Sequence, residues 1–173
     1  MTGFGAVPTR PASAAALALV CATGVATAAA AADLPILSGP CIDGASWQAY
    51  PGFAMHGPCG PGREGVAYFE CDHKLRWRLN LMMGTPSLQV GELRALYVTI
   101  DGRTLAIGGE GVADHVEGGP VFVADVTDLS LMDALARGAS ATFNTTPDPW
   151  TVSLAGTADV FAAAARTCLE GAN

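Results

Sequence analysis

Four cysteines, Cys41, Cys59, Cys71 and Cys168, follow an N-terminal stretch suited to export, and this pairing of features constrains the fold more than any other in the chain. An even number of cysteines in an oxidising compartment predicts two disulfides, and four cysteines allow three connectivities. Joining Cys41 to Cys59 closes a loop of about 19 residues, which stabilises by about 3 kcal/mol in the chain-entropy picture. Cys71 is then left for Cys168, a loop of about 98 residues contributing about 4 to 5 kcal/mol. Short loops close readily, which favours this arrangement over the crossed pairs Cys41 with Cys71 and Cys59 with Cys168.

The export reading comes from residues 1–32. Arg10 is a lone positive charge, and the stretch from Ala12 to Ala32 carries none. That is the order of a secretory signal peptide, and the alanine run at its end offers cleavage sites near Ala30 to Ala32. The apolar core from Ala14 to Val25 falls short of the roughly 20 residues that a bilayer requires. Val20 stands where lipidation of Cys21 would need a small residue, so Cys21 is expected to leave with the signal. Cleavage at that point leaves 141 residues, enough for one core. All sixteen acidic residues and eight of the nine basic ones lie beyond Ala32, giving the remainder a formal charge of −8. Such a body repels nucleic acid and anionic membranes. Lys74, Arg76 and Arg78 alternate along one expected strand, which marks a solvated face rather than a phosphate track. The expectation is a periplasmic or secreted protein with no nucleic-acid partner and no membrane span after cleavage.

Residues 33–65 hold five prolines, Pro35, Pro40, Pro51, Pro58 and Pro61, among many glycines, and read as an irregular segment. Residues 66–173 read as a β-rich domain. Val66 to Cys71 is rich in strand formers, and Leu75, Trp77, Leu79 and Leu81 alternate with polar or longer side chains as one half-buried strand does. Leu93 to Ile100, the turn Asp101-Gly102 and Arg103 to Ile107 form a hairpin pattern. Gly108, Gly109 and Gly111 then interrupt, with further strands near Val112 to Val116 and over Val121 to Val126. Ser130 and Asp133 have capping-box spacing ahead of a helix over Leu131 to Arg137, with Gly138 as a left-handed stop. Two strands, Ala141 to Thr145 and Trp150 to Leu154, flank Pro147 to Pro149, and Thr157 is placed to cap a final helix. Its stripe of Val160, Phe161, Ala164 and Cys168 puts the cysteine on the buried face. The expected fold is α+β and β-rich: an antiparallel sheet or sandwich, one short helix, and a C-terminal helix packed on the sheet.

The tail "DLSLMDALARGASATF" followed by "VSLAGTADVFAAAARTC", together with the strands "CDHKLRWRLNL" and "LYVTIDG", resembles the C-terminal ends of small secreted proteobacterial envelope proteins. The invasion-associated locus B family and certain type VI secretion accessory proteins look similar there. The resemblance implies a non-enzymatic envelope protein acting through contacts, and a cysteine at the end of the last helix that takes part in a bridge.

No catalytic set stands out. Ser153 with Asp114 and His115 supplies the residue types of a hydrolase triad but no nucleophile motif, and Glu110 with Asp114 or Glu117 lies in glycine-rich sequence where acids serve solubility. A metal is the alternative to a purely protein-based role. His56, Cys59, Cys71 and His73 combine imidazole with sulfur, as copper or zinc prefers, although one residue between Cys71 and His73 is fewer than structural zinc sites use. No cofactor is otherwise expected. Trp47, Tyr50 and Phe53 lie in the segment read as irregular and are candidate contacts for a protein or envelope partner, or else anchors of that segment on the sheet. The leading function is thus an exported envelope binding module, and the alternative is a periplasmic copper- or zinc-binding protein.

Overall fold

A computed structural model describes residues 35–60, 65–82, 88–113, 120–144 and 149–170. The expected signal peptide lies outside them. The alternation expected from Leu75 onward produces a strand only over residues 77–81, whose Trp77, Leu79 and Leu81 are buried while Arg78 is exposed; Leu75 lies exposed, with positive φ, in the turn before it. Around it the strands are β1 (Leu37–Ser38), β2 (Ala45–Tyr50), β3 (Phe53–Pro58), β4 (Ala67–Cys71), β5 (Trp77–Leu81), β6 (Leu93–Ile100), β7 (Arg103–Ala113), β8 (Pro120–Val126), β9 (Ser140–Asn144) and β10 (Trp150–Ser153). They form one ten-stranded antiparallel sheet in the order β1-β2-β3-β4-β5-β8-β7-β6-β9-β10. Helix α1 (Leu129–Arg137) follows β8, and α2 (Thr157–Glu170) follows β10.

The sheet is single and curled into a half-barrel, which corrects the sandwich alternative. Helix α2 lies on its inner face. Phe161 is the centre of that contact, its ring 5.6 Å from Trp47, 5.3 Å from Phe69 and 5.6 Å from Trp77. Val160, Ala164 and Cys168 are buried beside it, as the helical stripe predicts. The curl brings the sheet's two ends together. The Trp47 indole on β2 donates to the Ser153 carbonyl on β10 at 2.8 Å, and the His56 and Trp150 rings meet at 5.3 Å.

The largest correction concerns residues 33–65. Their described part, 35–60, is not an irregular segment but carries β1, β2 and β3 of the same sheet, so no domain boundary separates it from the later strands. Tight turns account for two of the glycines: Gly44 and Gly52 have positive φ, which glycine adopts without steric penalty. Strand β2 is buried on both faces, so no polar alternation announces it.

Four local expectations also change. Asp128, not Ser130, caps α1, its carboxylate accepting from the Ser130 N–H at 2.9 Å. Gly138 ends α1 in extended backbone (φ −74, ψ 163), in a crowded position: a Cβ there would lie 2.6 Å from Ile100 Cγ2, 2.9 Å from the Ala134 carbonyl oxygen and 2.9 Å from Leu154 Cδ1. The Thr157 hydroxyl reaches the carbonyls of Leu135 and Leu154, both at 2.7 Å, and so ties α2 to α1 instead of capping α2. The glycines at 108, 109 and 111 lie within β7, which runs on to Ala113; residues 114–119 lie outside the described set.

Candidate functional site

The β6–β7 hairpin places the candidate site. Asp101 and Gly102 both take positive φ (47° and 84°), so the two-residue turn makes Ile100 and Arg103 a hydrogen-bonded pair. Hydrogen bonding alternates along an antiparallel strand, and odd-numbered residues of β7 therefore bond toward β6. The Gly111 N–H agrees, donating to the Glu92 carbonyl at 2.9 Å. Even-numbered residues turn their N–H and C=O groups toward β8. Glu110 and Val112 meet Val123 and Val121 there, and the ladder stops. Among the described residues, Thr104, Ala106 and Gly108 have no ladder partner in β8.

β8 leaves for a local reason. The Thr127 N–H donates back to the Asp125 carbonyl at 3.1 Å, a tight turn that swings the chain into Asp128 and α1. Strand β7 meanwhile continues to Arg103. A cleft of about 1260 Å³ opens where the two part. Its floor is apolar, formed by Ile107, Val126 and Leu131, all buried. Its rim is polar. Arg78 and Asp125 form an ion pair at 3.0 Å on one side, Glu110 stands at the closed end, and Asp128 stands at the α1 end. The Ser130 amide holds the Asp128 carboxyl below the usual carboxylate range, with a smaller contribution from the Arg103 charge. Gly109 lets β7 close up on β8 at this end, because a Cβ there would sit 2.4 Å from the Val123 carbonyl oxygen. At Gly108 a Cβ would meet nothing within 4 Å, so this lip is open.

The residues singled out in the sequence fall elsewhere. Cys41 bridges to Cys59, and Cys71 to Cys168, with Cα separations of 5.9 and 6.0 Å. The proposed metal set is therefore not assembled: Cys59 and Cys71 have committed their sulfurs to disulfides and offer no thiolate. His73 is exposed in the β4–β5 turn, while His56 is buried on β3. Among the described residues no group of three or more metal-ligating side chains comes together. Trp47 and Tyr50 are buried in strand β2, which corrects their reading as partner contacts. Phe53, half-buried, stacks on Tyr50 at 5.0 Å and so serves as an anchor. The Ser153 hydroxyl accepts from the Ala155 N–H at 3.3 Å; Asp114, His115 and Glu117 lie outside the described residues.

No protein family, curated protein or solved structure matches the chain. The site thus rests on geometry alone. Residues 104–108 do not stand out in the sequence because nothing in "TLAIG" has catalytic or ligating chemistry. The one local signal is the glycine pair 108–109 inside a strand pattern, which marks a close backbone approach.

Proposed function

We propose that the protein is an exported, non-enzymatic binding module of the cell envelope, with the β7–β8 cleft as its recognition site. The observation that carries this reading is the cleft itself, where an interior strand pairing is abandoned over a buried apolar floor and a polar rim. Concave apolar sites with a few polar groups are where proteins take up ligands. The two disulfides support an oxidising compartment, and the signal-like residues 1–32 and the envelope-protein resemblance of the tail point the same way. No helix among the described residues is long and apolar enough to cross a membrane.

Crosslinking in the exporting cell tests the reading. A photoreactive residue replacing Thr104, on the rim, is expected to give a discrete adduct, whereas one replacing Arg166, exposed on α2, is expected to give none. No adduct at position 104, or the same adducts at both positions, overturns the assignment.

A further inference from the structure

The cleft has the features of a slot for one extended polypeptide. Three β7 residues, Thr104, Ala106 and Gly108, present N–H and C=O groups at every second position with no ladder partner in β8 among the described residues. That spacing is the repeat of a β-strand and matches a second backbone, not a compact metabolite. A folded partner's sheet edge is kept out, because β8 and the first turn of α1 wall the opposite side, with Asp125, Asp128 and Ser130 lining it.

Resting on the reading of this cleft as the recognition site, we infer that it binds an extended peptide by strand addition along β7 from Thr104 to Gly108. Alternate side chains of such a peptide would point to the floor of Ile107, Val126 and Leu131, and the others to the rim at Arg78 and Glu110. The ligand class is therefore a segment with apolar and polar residues in alternation. Backbone bonding supplies affinity and the floor supplies selection, as in other strand-addition sites.

The probe is a random dodecapeptide library displayed on phage and panned against the disulfide-bonded protein, with the strongest binder synthesised. Ala106→Pro removes an N–H that faces the cleft and leaves the β6–β7 bonds in place. It is expected to weaken binding by about tenfold or more. N-methylation of alternate amides of the peptide should do the same, and serves if the proline variant does not fold. Binding of the unmodified peptide should slow hydrogen exchange at the Ala106 and Gly108 amides. A peptide that binds while exchange at 106 and 108 is unchanged, and that tolerates N-methylation in either alternate set, overturns strand addition; a Thr104-specific crosslink would then still support the cleft as a site. Failure of the library to yield any binder also overturns strand addition. Loss of the Thr104 crosslink overturns the cleft reading itself.

Discussion

His56 lies in the seam where the sheet closes, between the rings of Trp47 at 5.2 Å and Trp150 at 5.3 Å. Its Nδ1 is buried with no hydrogen-bond partner among the described residues, and burial pushes its pKa down from 6.5 to about 4. In the unfolded chain the imidazole takes a proton near pH 6.5, but in the folded protein only near pH 4. Over that window the unfolded state binds more protons, so acidification removes stability. We expect a loss of about 2 kcal/mol between about pH 7.5 and pH 5, by linkage. Urea unfolding at the two pH values measures it, and His56→Phe should flatten most of the difference. An equal pH response in the variant and the parent would show that another group is responsible. The same residue shows why a sequence reading goes astray. His56-Gly-Pro-Cys59 has the spacing of a ligand pair, yet the sulfur is bridged to Cys41 and the imidazole packs between aromatic rings.

Helix α2 is held to the sheet by three kinds of contact at the element scale. Phe161 packs into the aromatic cluster of β2, β4 and β5. The Thr167 hydroxyl accepts from the Gly52 N–H at 2.8 Å, and Cys168 is bridged to Cys71 on β4. The two disulfides span 18 and 97 residues, and the longer loop loses more chain entropy when closed. Cys71→Ala with Cys168→Ala should therefore cost more than Cys41→Ala with Cys59→Ala, about 4 against about 3 kcal/mol. Denaturant midpoints of the two double variants decide the order, and a larger cost for the short loop would refute it. Elements differ in how visible they are. Strand β5 and helix α2 each bury one face and wet the other, which leaves a period in the sequence. Strand β2 is buried on both faces, with Gln48 satisfied internally by Ser46, Tyr50 and the Pro58 carbonyl, and it leaves none.

For the whole molecule, the closing contact is the Trp47 indole on the Ser153 carbonyl, 106 residues away. Trp47→Phe keeps an aromatic ring but leaves that acceptor unpaired, at an expected cost of about 1–3 kcal/mol. Hydrogen exchange should show protection falling first in β9 and β10, with β4 and β5 retained; uniform loss across the sheet would mean that the seam does not hold the ends together. What the sequence by itself determined is whatever repeats locally: the half-buried strand at 77–81, the Asp101-Gly102 hairpin, the stripe of α2 and the β-rich class. Those follow from side-chain period and turn chemistry, which act over a few residues. The order β5-β8-β7-β6, the entry of residues 35–60 into the sheet, the choice among cysteine pairings and the parting of β7 from β8 were decided by tertiary structure. Each depends on which distant surfaces are buried against one another, and the free energy of that burial belongs to the pair of surfaces, not to either segment alone.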